Sequence, residues 1–522
     1  MRSICLYFQI HQPFRLRTYR FFDIGNDSNY YDEYQNRFII RRVAEKCYLP
    51  ANKLLLTLIR RHGQAFRVCF SISGTAIEQF EKYTPEVLDS FKQLAATGQV
   101  EFLAETYGHS LAGLKNKEEF KRQILMHSQR VEELFGIKPT SFRNTELIYS
   151  DEIGATIAEM GFYSILAEGA KHILGWRSPN YLYYNALNPR LRVLLRNFRL
   201  SDDIGFRFSN KAWSEWPLTA EKYVSWLNAF DPNQELVNIF LDYETFGEHH
   251  WKETGIFEFL EALPKTILTQ SNFEFHTPTE IASLHQPVAP IHVPHATSWA
   301  DEERDLTAWL GNELQEEAVS NLYALVSKVY ACDDPSIWKD WLYLQTSDHF
   351  YYMCTKWFSD GEVHKYFNPY PSPYEAYINY MNVLSDFIIR VEKNSVGKLE
   401  YEGWPSLKSV YEFNNISGPP LPFVTQAPHF VRSDKKSSKL IAQPSDLIHF
   451  SDRKLKSALK NTDSEFIAKI IANSAEEVTD KILRNLTKQR GEEVKELAHE
   501  IKKVSKKALS EAVEEILLHI QK

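Results

Sequence analysis

From the N-terminus to about residue 285, short apolar runs alternate with amphipathic stretches. The runs at residues 4–10, 67–73, 100–105, 141–146, 164–168, 191–197, 236–243 and 273–276 have the length and composition of strands. Helical periodicity lies between them, for example at 85–96, 117–135 and 220–230. Repeated strand–helix alternation predicts an α/β fold built on a parallel sheet with both faces covered, and at this length an α/β barrel is its natural closure. Ionisable residues gather where the runs end: His11, Glu105, Glu146, Glu168 and Asp242. Strand ends are also where solvent begins, but a parallel barrel places its chemistry there.

The period changes after about residue 303. Stretches 303–332, 336–346 and 373–393 predict helices, with Tyr351, Tyr352, Trp357 and Tyr366 between them, a helical layer packed on the barrel. Gly418-Pro419-Pro420, Pro422 and Pro428 mark a boundary, and Ser433-Asp434-Lys435-Lys436-Ser437-Ser438-Lys439 reads as a flexible linker. Beyond it Val494, Leu497, Ile501, Val504 and Ala508 recur at spacings of three and four. That amphipathic helix serves either as a coiled-coil-like arm for homo-oligomerisation or as a hairpin folded on its own domain. The expected division is 1–285 (barrel), 286–430 (helical domain), 431–446 (linker) and 447–522 (helical extension).

Composition narrows the function. Over 522 residues, 43% hydrophobic and 25% charged positions suit two or three folded domains and exclude wholesale disorder. A net charge of −8 argues against nucleic acid or an anionic membrane as the main partner. The five cysteines (Cys5, Cys47, Cys69, Cys332, Cys354) have neither disulfide-framework nor metal-ligand spacing. With no signal-peptide pattern and no bilayer-length apolar run, a soluble cytoplasmic protein is expected. Aromatic residues reach 14%, which suits stacking on sugar rings and equally suits a large Phe-rich core.

Four segments carry polar residues inside apolar surroundings: Gln9-Ile10-His11-Gln12-Pro13, the stretch from Gly98 to Leu111, Phe142-Arg143-Asn144-Thr145-Glu146-Leu147, and the stretch from Phe240 to Trp251. Two carboxylates meeting across one pocket are what glycosidic cleavage needs, and Glu146 and Asp242 are candidates from different strand ends. The alternative is a pair of rim carboxylates bound to Arg143 or a neighbour. His11, His109, His249, His250 and Asp242 could in principle hold zinc, as in barrel deacetylases. Against this, there is no His-x-x-x-His and no Asp-Asp after the first strand, and adjacent His249 and His250 cannot easily share one ligand sphere. No phosphate-cradling Gly-rich loop and no Gly-x-Ser-x-Gly elbow occurs.

In this order the segments resemble glycoside hydrolase family 57, and specifically its α-amylase-like branch. His11-Gln12-Pro13 matches the first motif, Gly98 to His109 the second, and Arg143-Asn144-Thr145-Glu146 the third. Asp242 before Phe246-Gly247 matches the fourth, and Leu306-Thr307-Ala308-Trp309-Leu310-Gly311-Asn312-Glu313 resembles the fifth. Leu344 to Met353 and Phe367-Asn368-Pro369-Tyr370 extend the likeness, which covers about residues 1–425. The resemblance implies an incomplete seven-stranded (β/α) barrel whose pocket a helical domain completes. It implies a retaining α-glucan hydrolase of α-amylase type, with Glu146 as nucleophile and Asp242 as acid/base. His11, His109 and Asp348 would hold sugar hydroxyls, Trp309 would wall the pocket, and no metal or organic cofactor would be required. Trp213, Trp216 and Trp251 are candidate stacking platforms or core residues. A 4-α-glucanotransferase or branching enzyme would use the same carboxylates, and a non-catalytic glucan-binding protein is the alternative of another class.

Overall fold

The computed structural model describes residues 2–356, 368–395, 464–474 and 476–501, with isolated positions at 455–456, 459–460, 462 and 512. The expected linker at 431–446 and the seam positions Val504 and Ala508 lie outside the described residues, as do Trp357 and Tyr366. Ten strands are described: β1 (Arg2–Ile10), β2 (Val68–Ile72), β3 (Val100–Phe102), β4 (Ser141–Arg143), β5 (Ser164–Glu168), β6 (Tyr183–Asn185), β7 (Arg192–Arg196), β8 (Leu236–Asp242), β9 (Phe273–Phe275) and β10 (Pro290–Ile291).

β1 is buried along nearly its whole length, as a strand covered on both faces must be. It pairs in parallel with β2 and β8, while β9 takes its first three residues, and β3 extends the sheet beyond β2. A second sheet runs β10–β6–β7–β5–β4. Hydrogen bonds also run between the sheets. Ala104 N donates to Ser141 O (3.0 Å) and Arg143 N to Ala104 O (2.9 Å), joining the segment after β3 to β4. On the opposite side Asn197 N donates to Asn238 O at 2.8 Å, joining the end of β7 to β8.

All eight apolar runs contain a strand, but β6 and β10 were not expected. Each is three residues or fewer, and Pro179-Asn180 and Asn188-Pro189 around β6 read as loop punctuation. β6 is antiparallel to β7, so the second sheet is mixed while the described pairings of the first are all parallel. β3 and β4 also stop early, leaving Glu105 in the loop that follows and Glu146 in the short 3-10 turn Thr145–Leu147.

The helix Lys117–Phe135 shows how the layers lock. Asn116 caps its N-terminus by accepting from Glu118 N and Glu119 N, and Gly136 ends it at φ 69°. Its last residue, Phe135, stacks on Phe102 of β3 at 4.0 Å between ring centroids. On the same helix His127 accepts from Glu105 N at 3.1 Å and donates to Ile72 O at 2.7 Å.

The stretch expected as one helix over 303–332 is three: Thr307–Leu310, Glu313–Tyr323 and Val326–Tyr330. Gly311 interrupts it, and Asn312 starts the next segment by accepting from Gln315 N at 3.0 Å. The following helix, Pro335–Leu344, leads to Ser347–Tyr351, which is tied to the second-motif loop. Ser347 N donates to His109 O at 3.0 Å and Thr346 Oγ1 to Gly108 O at 3.0 Å.

Two compact units divide the chain, Met1–Thr425 and Gln426–Lys522. In the second, helices Ser464–Ile471, Glu476–Arg484 and Lys488–Glu500 share an apolar cluster of Leu455, Leu459, Ile467, Ile470, Ile482 and Val494. The last of these helices ends at Glu500 because Ile501 turns extended, at φ −83° and ψ 104°. Val494 is therefore spent within its own unit. Among the described residues no helix is long and apolar enough to cross a membrane.

Candidate active site

One cleft collects most of the chemistry-bearing residues. Gln9, His11, Gln12, His109, Arg143, Glu146, Asp242, Glu244 and His249 line it from the strand-bearing part, with Trp299 from the loop that follows. Trp309, Ser347, Asp348, Tyr351 and Tyr352 line it from the helical region. Glu146 and Asp242, far apart in sequence, thus face one space.

Around Glu146 the backbone itself is strained. Glu146 (φ 55°), Leu147 (φ 52°) and His109 (φ 50°) all adopt left-handed conformations without being glycine. Such strain persists where surrounding contacts over-determine it, and here they do. His109 Nε2 donates to Glu146 Oε1 at 3.1 Å, while His109 Nδ1 donates to Glu105 Oε2 at 2.9 Å. An ionised carboxylate accepts and does not donate, so a ring between two of them carries both protons. Burial disfavours that charge, but the bonds to Glu105 and Glu146 outweigh it and push the His109 pKa up to about 9. On the other oxygen, the Trp299 indole N–H donates to Glu146 Oε2 at 2.7 Å.

His11 stacks on His109 with ring centroids 3.9 Å apart. Its Nε2 donates to Asp348 Oδ2 at 2.9 Å, and its Nδ1 then accepts from Ser73 Oγ at 2.8 Å. Burial and the neighbouring His109 charge lower the His11 pKa, which keeps this ring neutral. Asp348 would be raised by burial, but His11 and the charge of His109 hold it below the usual carboxylate range.

On the Asp242 side the electrostatics reverse. Glu244 follows two residues on, fully buried, and accepts from Tyr48 Oη and from Gln12 Nε2. Burial first, and the charge of Asp242 second, push its pKa up to about 8. It is a carboxylic acid at neutral pH.

Of the residues expected at the site, the cleft unites His11, His109, Glu146, Asp242, Trp309 and Asp348. Trp213 does not join them. It sits half-buried against the core beside the helix Ala220–Asn228, its ring 6.1 Å from Trp226 and 5.9 Å from the Arg207 guanidinium. Trp216 and Trp251 are also absent from the lining and exposed, each under a lysine, Lys211 and Lys46 respectively. Glu168 is claimed by Arg196 at 3.1 Å. His250 is fixed by Ser209 and the carbonyls of Ile204 and Gly205. Among the described residues no three His, Cys, Asp or Glu side chains are grouped to hold a metal ion.

Sequence reasoning missed Glu244, Arg143 and Trp299 as site residues. Glu244 carried a usable signal, a second acid two positions after Asp242. Trp299 carried none, since it reaches Glu146 from a loop more than 150 residues away.

A family model described as glycosyl hydrolase family 57 matches residues 5–294. A second model, FliG C-terminal domain, matches residues 435–522. A protein of Methanocaldococcus jannaschii that carries the provisional name alpha-amylase is 44% identical over 413 residues, covering 76% of this chain and 86% of its own. A GH57 branching enzyme of Thermococcus kodakaraensis, in complex with glucose, shares the fold with a TM-score of 0.54 at 14% identity, over 80% of this chain and 94% of that one. The 4-alpha-glucanotransferase of Thermococcus litoralis matches with a TM-score of 0.50 at 18% identity, over 67% of this chain. This chain spans 56% of that enzyme's length. A family model covering more than half of the sequence, and a relative this similar over most of both chains, identify the chain as a member of glycosyl hydrolase family 57.

Proposed function

We propose that this protein is a retaining glycoside hydrolase acting on α-glucans of the glycogen or maltodextrin type, with Glu146 as nucleophile and Asp242 as acid/base. The observation that carries this is the opposite environment of two acids lining one cleft. Glu146 takes a charged donor on one oxygen and an indole N–H on the other, both of which favour the carboxylate. Asp242 stands close enough to the buried Glu244 that the two do not both ionise at neutral pH, so this flank keeps a proton. Environments that push two acids apart assign a base-like and an acid-like role.

In the proposed reaction an oxygen of Glu146 forms a bond to the anomeric carbon. The glycosidic C–O bond breaks, and the departing oxygen takes the Asp242 proton. Asp242 then takes a proton from water, whose oxygen attacks the anomeric carbon and frees Glu146. His109 balances the charge that Glu146 loses and regains. His11 and Asp348 offer polar contacts for sugar hydroxyls, and Trp309 forms a wall. The parallel strands β1, β2, β3, β4, β5, β7 and β8 are read as an incomplete seven-stranded barrel, a reading supported by the hydrogen bonds that join the segment after β3 to β4 and the end of β7 to β8. The helical region completes the cleft, and an α-glucan is its partner, with no cofactor.

The related 4-alpha-glucanotransferase and branching-enzyme folds keep transfer to a sugar hydroxyl as the second reading. Maltoheptaose incubated with the protein separates the two: shorter maltooligosaccharides alone mean hydrolysis, and longer products mean transfer. Loss of all products in Glu146→Gln is expected. Undiminished turnover in that variant overturns the assignment.

A further inference from the structure

We infer that Trp299 is a positioning residue for Glu146, and that a buried ion cluster of Glu168, Arg196, Asp202 and Arg304 braces it. This rests on the reading of Glu146 as nucleophile.

Trp299 grips Glu146 twice. Its backbone N–H donates to Glu146 O at 3.2 Å, and its indole N–H to Glu146 Oε2 at 2.7 Å. With His109 on Oε1, the carboxylate plane has a donor at each oxygen. A carboxylate that must meet an anomeric carbon along one line gains from being fixed in this way, because a wrongly turned nucleophile is lost to reaction.

The rest of the loop makes sense as support for that contact. The guanidiniums of Arg143 and Arg196 lie over the Trp299 ring, 4.8 and 5.6 Å from its centroid. Arg196 bonds Glu168 at 3.1 Å and Asp202 at 2.5 Å, and Asp202 also takes Arg304 at 3.2 Å. Arg304 in turn donates to the Trp299 carbonyl. Ser298 closes the loop on itself, its N–H bonding Arg304 O at 3.2 Å and its hydroxyl Asp305 O at 2.6 Å. The outer edge is tied by Lys356 to Asp301 at 2.7 Å and to Glu303 at 2.9 Å. Asp301 (φ 57°) and Arg304 (φ 51°) are held in left-handed conformations. Buried ion networks and backbone strain both cost stability, and a loop that merely connected two elements would need neither.

Two substitutions test this beside Glu146→Gln. Trp299→Phe keeps a ring and removes the N–H. Arg304→Met removes the brace from a residue that does not line the cleft. Trp299→Phe is expected to lower kcat on maltoheptaose roughly 10- to 100-fold, with KM changed less than about threefold. The acid limb of its kcat profile should move to higher pH, because Glu146 has lost a donor to its ionised form. Arg304→Met should reproduce both changes to a smaller degree. Asp202→Asn replaces it if a circular-dichroism melt finds Arg304→Met unfolded. Trp299→Phe with unaltered kcat and acid limb, while Glu146→Gln is dead, overturns the inference alone. A rise in KM at unchanged kcat makes Trp299 a substrate platform and overturns it too. A folded brace variant with wild-type kinetics removes the cluster's role. Full activity in Glu146→Gln instead overturns the functional reading beneath.

Discussion

The two flanks of the cleft are built on opposite electrostatic plans. On the Glu146 flank, a charged imidazole is clamped between Glu105 and Glu146 and a stacked neutral imidazole is anchored on Asp348. On the Asp242 flank, Glu244 is buried against Tyr48 and Gln12 and retains its proton to about pH 8. One flank stabilises negative charge and the other resists a second one. Identical functional groups can take different tasks from such surroundings, and that difference is what the proposed double displacement needs.

The sharpest way to break the comparison is to remove each acid and vary the leaving group. Glu146→Gln should lose about 10⁴-fold or more in kcat on every substrate, since no bond to the anomeric carbon can form. Asp242→Asn should lose about 10²- to 10⁴-fold on maltooligosaccharides, the usual worth of a general acid. On an α-maltosyl fluoride, whose leaving group needs no proton, the first step of Asp242→Asn should recover most of that loss, read as a fluoride burst. Equal losses on both substrates for both variants would mean the flanks are not specialised.

Removing the cation is the next largest effect. His109→Gln leaves Glu105 and Glu146 without the charge between them and should lower kcat about 10²-fold. In wild type the folded His109 value of about 9 lies above the free-histidine value, so its contribution to stability is complete below about pH 6.5. That contribution falls away as pH rises through 9, by about 3 kcal/mol in all. Urea melts of wild type and variant between pH 6 and 10 check this. The gap between them should shrink toward the alkaline end.

How much of this was legible in the sequence depends on how local each feature is. Strand cores such as β1 and β8 announce themselves because both faces are buried and nearly every position must be apolar. Glu146 and Asp242 stood out as acids just beyond such runs. β6 escaped because three residues between prolines carry too little pattern, and its antiparallel pairing depends on β7. That Trp213 stands outside the cleft lining, beside Trp226, was not legible, because an aromatic residue looks the same in either place. The charge on His109 is set by partners four and thirty-seven positions away. No local pattern encodes it.

Glu244 sharpens the second flank. Its folded value of about 8 exceeds that of a free glutamate, so its contribution to stability is most favourable below about pH 4.5 and declines as pH rises to 8. Glu244→Gln keeps a group that can accept from Tyr48 and removes the titration. Relative to wild type it should gain on the order of 3 kcal/mol between pH 5 and pH 7. Denaturant melts at the two pH values measure this. A constant difference would mean that Glu244 is ionised throughout, and the contrast between the flanks would be lost.

The smallest effect concerns the support beneath His11. Ser73 Oγ gives its proton to His11 Nδ1 at 2.8 Å and accepts from Ala76 N at 3.3 Å, capping the helix Gly74–Tyr83. Ser73→Ala therefore removes a cap and the group that fixes which His11 nitrogen carries hydrogen. The cap is worth about 1 kcal/mol, visible as a lower melting temperature. Without the hydroxyl, His11 still bonds Asp348, so its ring stays in place while its tautomer is less firmly set. KM on maltoheptaose should rise a few-fold with kcat nearly unchanged, because Glu146 keeps His109 and Trp299. A fall in kcat as large as that of His109→Gln would show that the two stacked imidazoles act as one unit, with the Glu146 flank reaching back to the first motif.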